Sequence, residues 1–546
     1  MRNNFLTFFV LTLMFAALMS VPFLVPGAGW VALFGLVPLL FMDEVADQLE
    51  VKHFFWWYYA AFVLWNAVTT FWVCNATVGG GIFAVLANAF QMALVWAVFR
   101  LSKKRFFGVL PYVFLAVMWI AWERAYFSAQ ISWPWLTLGN SLAGTVKLAQ
   151  WYEYTGTLGG SLWIWACNIW LFLILKSALD GTRFSRPLSE RLASWIGVAL
   201  LLACPVIVSL KLYENRGEKA PGEELEVVIA QPNFDPYEKF SSIPRAQQNV
   251  ILLDLFEKGL RSAGQDTASG VLLLAPETFT SDIVVGDYPS SPTWSRFHSF
   301  LQNHPSANIL FGASSFEFIP SSVESYTART MRDGSRYESH NSALITDASS
   351  RTEIYHKSKL VVGTELTPYP RFFTKIDNML GGVMGRCVGQ DSVSLLRFKT
   401  LDASGKLLRD IPLGSIICYE SAFGEYCTKY VKEGAKALVV ITNDAWWGDT
   451  PGYKQHLSFS SLRAIETRRE IARCANTGIS GFINSRGDVL NSSHWWEREH
   501  MEGSIRLSDE RTFFVRYGDI TGRICTLAFL LLLLALLVRL VTMKIK

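Results

Sequence analysis

Nowhere in this chain do two cysteines stand as CxxC; the eight, at positions 74, 167, 204, 387, 418, 427, 474 and 525, are scattered. That spacing argues against a zinc site and a dense disulfide framework, so no metal and no other cofactor is expected. An excess of one charge sign is also missing. With 50 Lys and Arg against 46 Asp and Glu the net charge is only +4, and no long basic run occurs, so nucleic acid is not an expected partner. No internal repeat or low-complexity segment is visible. What the 546 residues have in abundance is apolar surface: 51% hydrophobic residues, 20 Trp and a mean hydropathy of +0.25. This is too apolar for an ordinary soluble enzyme, and too charged for a chain lying wholly in membrane. Two unlike regions are expected, with membrane lipid as a partner.

Eight apolar stretches can span a hydrocarbon core of about 30 Å, near 5–25, 28–42, 54–76, 80–99, 107–126, 160–178, 192–211 and 523–543, the second being short. One positive charge, Arg2, precedes the first, which has signal-peptide character; with further spans following and no clear small-x-small site, retention is expected. Arg100, Lys103, Lys104 and Arg105 follow span four, Lys176, Arg183, Arg186 and Arg191 lie between spans six and seven, and Arg539, Lys544 and Lys546 close the chain. The loops on the other side contain only Lys147. Basic loops stay cytoplasmic, so the N-terminus is expected in the cytoplasm and the long segment between spans seven and eight outside it. The 43–53 loop fits poorly, being acidic with Lys52 as its only Lys or Arg. The expected organisation is a membrane domain over 1–211, a catalytic domain over 212–522, and a final span with a cytoplasmic tail over 523–546.

From Leu225 the pattern changes to short apolar, β-branched runs: "LEVVIAQ" (225–231), "GVLLLAPE" (270–277), "NILFGASSF" (308–316), "SALITD" (342–347), "GSIICYES" (414–421) and "ALVVITND" (437–444). These read as buried strands, and helical stretches such as 244–263 and 454–474 separate several of them. The class is α/β, a sheet layered with helices.

Three of these strands run from apolar into polar residues at their C-terminal ends, where open α/β sheets carry reactive groups. Those ends hold Glu277, Cys418 and the pair Asn443–Asp444. On local sequence alone Cys418 reads at least as well as a core cysteine, and Glu277 equally as a helix-starting acid. Lys357, in "YHKSKLVVGTELTPYP" (355–370), would complete a catalytic set, since a thiol attacking a carbonyl needs a base and a cation near the developing oxyanion. Each of the two lysines in that segment reads otherwise as a solvated charge.

The order Glu277, Lys357, Cys418 resembles the Glu-Lys-Cys triad of the nitrilase (carbon-nitrogen hydrolase) superfamily, and within it the chain is similar to the bacterial apolipoprotein N-acyltransferases over nearly its whole length. The similar pieces are "WPWL" (133–136), Gln231 and Asn233 of Gln-x-Asn, "PET" (276–278), "CYE" (418–420), "NDAWWGD" (443–449) and "QHLSFSSLRAIETRREIARCANTG" (455–478). The family's Lys-x-x-Leu-Val-Pro-x-Gly-Glu segment aligns with Lys357, Leu360, Val361, Gly363 and Glu365, which selects Lys357 over Lys359. Val362 stands where the family has Pro, and Thr364 separates Gly363 from Glu365. Cys387, in a Gly-rich loop without a preceding apolar strand, is the competing thiol.

The resemblance implies a polytopic α-helical membrane domain plus an α/β nitrilase-like domain, an αββα sandwich. It implies ping-pong transfer of an sn-1 acyl chain from a phospholipid donor, through a Cys418 thioester, to the amine of a diacylglyceryl lipoprotein acceptor. Glu277 is implied as base, and Lys357 with the N–H of Tyr419 as oxyanion donors. Glu365 or Glu420 would support Lys357. Phe240, Trp446 and Trp447 flank the motifs as acyl-chain contacts or as ordinary aromatic packing, and Asn443 lines the site. Glu123 and Arg124, at the end of span five, line a lipid entry or mark the membrane interface. The implied place is the bacterial inner membrane, with the catalytic domain periplasmic. A membrane-anchored amidase is the alternative, since the triad alone does not distinguish water from an amine. A transporter would need polar or broken helices at the midplane, for which Asn66, Asn88, Gln91 and Asn168 are few candidates.

Overall fold

A computed structural model of the chain describes residues 2–181, 187–216, 222–239, 242–264, 270–379, 384–402 and 404–545. Phe240, Arg183 and Arg186 lie outside the described residues, as do the side chains of Lys544 and Lys546. Two compact units result, one of Met1–Gly217 with Tyr517–Lys546, the other of Glu218–Arg516.

The first unit is helical. Its segments are Arg2–Leu24, the stretch Gly29–Gln48, Phe55–Thr70, Val78–Lys103, Leu110–Tyr126, Tyr152–Leu179, Leu188–Asn215 and Ile520–Ile545. Among the described residues six are long and apolar enough to cross a membrane. Phe55–Thr70 and Leu110–Tyr126 have 16 and 17 residues; at about 1.5 Å per residue each falls a few ångströms short of a 30 Å core.

Ion pairs sort the helix ends into two sets. Asp43 is buried, accepts from Trp96 Nε1 at 3.2 Å and pairs with Arg100 and, at 2.6 Å, with Lys103. Lys103 also reaches Asp47 (2.5 Å), and Lys176 reaches Glu44 (2.7 Å). The acids of the 43–53 loop are thus counter-ions to the basic helix ends, which is why an acidic loop shares their side. At the opposite ends Arg124 pairs with Asp519 (3.4 Å) and Arg216 with Glu153 (3.0 Å). Glu123 is buried and accepts from Trp119 Nε1 (3.1 Å) and from the amide of Leu138 (2.8 Å), pinning the loop after "WPWL". Both residues thereby have structural partners.

The second unit contains two sheets. One holds β1 (Glu224–Gln231), β2 (Val271–Leu274), β3 (Thr280–Val284), β4 (Ala307–Ile319), β5 (Arg329–Thr330), β6 (Arg336–Asp347), β7 (Thr352–His356) and β14 (Glu499–Arg506), with main order β14-β1-β2-β4-β6-β5. The other holds β8 (Leu396–Leu401), β9 (Leu407–Ile417), β10 (Ala437–Thr442), β11 (Ile471–Ala475), β12 (Gly481–Ile483) and β13 (Val489–Ser492), in the order β13-β12-β11-β10-β9-β8. The central strands β1-β2-β4 and β9-β10-β11 run parallel.

Strand alternation decides the layers. Val228, Ala230, Leu273, Ile309 and Phe311 face outward onto Leu252, Leu255 and Phe256 of the helix Arg245–Ala263 and Phe297 and Leu301 of the helix Pro292–Asn303. Their neighbours face the second sheet, where Asn308 exchanges hydrogen bonds with the Lys399 backbone (2.8 and 3.0 Å) and the Cys474 thiol donates to the carbonyls of Ala230 (3.3 Å) and Leu274 (3.4 Å). Helices Gly424–Lys432 and Pro451–Thr467 pack on the second sheet. The result is an αββα sandwich. Strands buried on both faces need apolar residues at every position, so their sequences read as runs rather than as alternation.

Candidate active site

Four strand ends converge. β2 is followed by Ala275, Pro276 and Glu277, β9 by Cys418, β10 by Asn443 and β7 by Lys357. β9 and β10 are in register at Ile417 and Ile441, so Cys418 emerges beside Thr442. Lys357 is fastened to β6 by its amide, which donates to Asn341 O at 2.8 Å.

Lys357 is 1% exposed, with Nζ 3.2 Å from Glu277 Oε1 and 2.9 Å from Glu365 Oε1. Asn341 Nδ2 donates to the same two oxygens, at 2.7 and 2.6 Å, and Glu277 Oε2 accepts from the amide of Asn443 at 3.0 Å. Burial by itself would lower the Lys357 pKa, but Glu277 and Glu365 hold it well above the ordinary value, so the amine stays an ammonium. The Cys418 thiol is also pushed up, by burial and then by the Glu277 charge, with Lys357 pulling back. At neutral pH the sulfur is a thiol, so a nucleophilic role would require a base to remove its proton. Gly312 on β4 leaves no room for a side chain, since a Cβ there would lie 2.5 Å from Glu277 Cα.

Cys418 has φ +49°, a left-handed conformation that costs about 1–2 kcal/mol in a non-glycine residue. Two buried groups over-determine this turn. Glu420, fully buried, accepts from the amides of Ile417 (2.9 Å), Ser358 (2.8 Å) and Lys359 (3.3 Å) and from the hydroxyls of Tyr355 (2.6 Å) and Tyr430 (3.2 Å). It therefore ties the Lys357 loop to the Cys418 turn through backbone, while Glu365 is the carboxylate that reaches the Lys357 amine. On the other side His456 Nε2 lies 3.0 Å from Cys418 O and 2.9 Å from Ser421 Oγ, and Ser421 Oγ donates to the same carbonyl at 2.8 Å. His456 Nδ1 faces Asp444 Oδ1 (2.9 Å), and Arg473 donates to Asp444 Oδ2 (2.7 Å). Burial would raise the Asp444 pKa, but Arg473 and His456 hold it at about 2.

The remaining expected residues lie around this centre. Tyr419 is buried, edge-on to Phe423. Asn443 accepts from Asn476 Nδ2 at 3.2 Å through its side chain. Trp446 is half-buried, edge-on to exposed Tyr237 with ring centres 5.5 Å apart, and Trp447 packs on His456. Gln231 and Asn233 strap β1 to the 494–497 backbone. Cys387 is partly exposed and no strand delivers it; its amide donates to Glu365 O (2.8 Å), and burial pushes its thiol up to about 11. Asn341, Tyr355, His456 and Arg473 were not anticipated. The signal for His456 and Arg473 lay in the "QHLSF…ARCANTG" segment, where a buried His and Arg need partners; Asn341 had none. Lys239 was also missed: it is buried, donates from Nζ to Thr278 O, and burial lowers its pKa to about 7 despite Glu277. Among the described residues no group of His, Cys, Asp and Glu could hold a metal ion.

Around these strand ends lies an αββα sandwich, and residues 302–513 match the carbon-nitrogen hydrolase family model, which gives the class. That stretch contains Lys357 and Cys418, whereas Glu277 precedes it. Residues 15–170 match the model described as the apolipoprotein N-acyltransferase N-terminal domain. The chain is 26% identical over 505 residues to the apolipoprotein N-acyltransferase of Chlorobaculum tepidum, covering 91% of this chain and 89% of that one. It is 26% identical over 476 residues to the protein of the same name from Geobacter metallireducens, covering 86% and 82%. A solved structure, the nitrilase-superfamily protein Nit3 of Saccharomyces cerevisiae, aligns with 14% identity over 53% of this chain and 92% of that one, with a TM-score of 0.35. The chain belongs to the apolipoprotein N-acyltransferase family, within the carbon-nitrogen hydrolases.

Proposed function

We propose that this protein N-acylates lipoproteins, taking an sn-1 acyl chain from a phospholipid and passing it through a Cys418 thioester to the α-amine of a diacylglyceryl-modified N-terminal cysteine. The observation that carries the reading is the Lys357 ammonium held between Glu277 and Glu365 beside a protonated, partly exposed Cys418, in a chain whose other unit is a bundle of apolar helices. Glu277 takes the thiol proton as sulfur bonds to the ester carbonyl, and Lys357 with the Tyr419 N–H stabilises the oxyanion. The tetrahedral species collapses with loss of the lysophospholipid alcohol, which receives the proton from Glu277. The amine then attacks the thioester, Glu277 accepts its proton and returns it to the departing sulfur, and the product is an amide.

Both reactants are membrane lipids, so an enzyme anchored in the bilayer meets them without drawing acyl chains into water. The basic helix ends favour a cytoplasmic face for the Arg100 and Lys176 side, which puts the 212–522 segment in the periplasm of an inner-membrane protein. Trp446 and Tyr237 are placed to flank an acyl chain. The test is incubation of the full chain with phosphatidylethanolamine and a diacylglyceryl peptide. N-acylated peptide and lysophospholipid are expected in equal amounts; lysophospholipid without acylated peptide would leave only a hydrolase.

A further inference from the structure

Resting on that acyl-transfer reading, we propose that His456 is a positioning residue that aims the Tyr419 N–H at the oxyanion by holding the carbonyl of Cys418. In a trans peptide the C=O and the following N–H point in opposite directions. The Cys418 carbonyl is fixed from one side by His456 Nε2 (3.0 Å) and Ser421 Oγ (2.8 Å), so the Tyr419 N–H of the same peptide plane is turned away from both. A carbonyl can only accept, so Nε2 donates to it; Nδ1 lies between the Asp444 carboxylate, which can only accept, and the Arg473 guanidinium at 3.1 Å, which can only donate.

The anchor is itself locked. His456 is fully buried on the helix Pro451–Thr467, with Nδ1 2.9 Å from Asp444 Oδ1, and Asp444 is held in turn by Arg473 (2.7 Å) and Thr442 (2.7 Å). Asp444 follows the end of β10 and Arg473 sits within β11, so the strand paired with β9 and the next one beyond it brace the imidazole. Bracing is needed because the Cys418–Tyr419 peptide can otherwise turn about ψ of Cys418 and φ of Tyr419 and carry the N–H off its aim, while Cys418 itself stays at φ +49°. None of these groups touches substrate or loses a proton in the reaction.

The test separates oxyanion alignment from thiol reactivity. Acylation of the full chain by phosphatidylethanolamine in mixed micelles is followed by mass spectrometry of the thioester, and alkylation of Cys418 by iodoacetamide is followed in parallel; alkylation displaces iodide and builds no oxyanion. His456→Ala is expected to slow acylation about 30-fold without raising the half-saturating phospholipid concentration, and to leave alkylation within about twofold of wild type. His456→Gln, which keeps a donor, should recover most of the loss, and Ser421→Ala should slow acylation about fivefold. The proposal is overturned if acylation is undiminished in His456→Ala, or if acylation and alkylation fall together in both His456→Ala and Ser421→Ala, which would mean the turn has simply come apart. Absence of any thioester in the wild-type chain would overturn the acyl-transfer reading and this proposal together; a wild-type thioester with an unchanged variant overturns this proposal alone.

Discussion

Replacing Asn341 by Leu removes a side chain that, like Lys357, donates to both carboxylates of the site, at 2.7 Å to Glu277 and 2.6 Å to Glu365, while keeping the branching of the side chain. A hydrogen bond to a charged group contributes about 1.5–3 kcal/mol, and each acceptor oxygen loses one of its two donors while keeping Lys357. Glu365 has 16% of its side chain exposed and can recruit water, whereas Glu277 has 7% and cannot easily do so. The expected loss of stability is therefore about 2–4 kcal/mol, dominated by Glu277. Urea unfolding followed by tryptophan fluorescence reads it. Glu277 keeps only its Oε2 bond to the Asn443 amide, 3.0 Å, and its hydrogen-bonding contact with Lys357, so the base is less well aimed. About 100-fold slower acylation, equivalent to about 2.7 kcal/mol, is expected. Asn341→Asp adds a third carboxylate instead and should be worse than Leu near neutral pH. It should improve relative to Leu as pH falls toward about 5, because the protonated acid regains a donor. A Leu variant acylating within about threefold of wild type, or an Asp variant that tracks Leu at every pH, would refute the assignment of Asn341 as a shared donor.

Cys418→Ala should abolish both thioester and product, while Cys387→Ala keeps most of the transfer; an active Cys418→Ala chain, read by thioester trapping, would sink the nucleophile assignment. Lys239 has a folded pKa of about 7 against 10.5 for the free group, so between these values the unfolded chain binds one more proton and stability rises with pH. Lys239→Met should remove that slope, at most about 1.4 kcal/mol per pH unit, from urea midpoints taken across the window; equal slopes in wild type and variant would show that the amine is not buried as described.

The fold class was legible because the central strands are buried on both faces, which forces uninterrupted apolar runs such as Val271–Leu274 and Ala437–Thr442. The same runs exposed Glu277, Cys418 and Asn443 as the polar residues at their ends. Lys357 was not legible from residue type, since nothing local separates it from Lys359, and only the spacing to Glu365 chose between them. Asn341 and Tyr355 were invisible because each meets its partner across a long separation, Asn341 lying 64 residues from Glu277 and Tyr355 65 from Glu420. The pairing of β1 with β14 has the same character, closing the sheet over a separation that no local pattern encodes. In the helical unit the acidic 43–53 loop read as an anomaly for the opposite reason: its partners, Arg100 and Lys176, were known, but not that they meet it.

The two carboxylates around Lys357 differ in a way that suits the proposed reaction. Glu365 is the nearer, at 2.9 Å, and its other oxygen is fixed by the Val361 amide at 2.8 Å, so it acts as a permanent counter-ion. Glu277 is at 3.2 Å and must change charge as it takes the thiol proton. With Glu365 alone the ammonium still has a partner when Glu277 becomes neutral, so Lys357 keeps its proton through that step. The negative charge lost from Glu277 reappears on the oxyanion, beside the same ammonium, and moves without separating from its cation. Between groups as buried as Lys357 and Glu277 a charge shift of this kind requires little reorganisation, which is the condition under which fixed dipoles and ions stabilise a transition state most. A lysine serving a single carboxylate would face an unpaired burial each time the base was protonated, and at 1% exposure it would release its proton instead. In the proposed reaction the second glutamate is thus what allows the first to be a base.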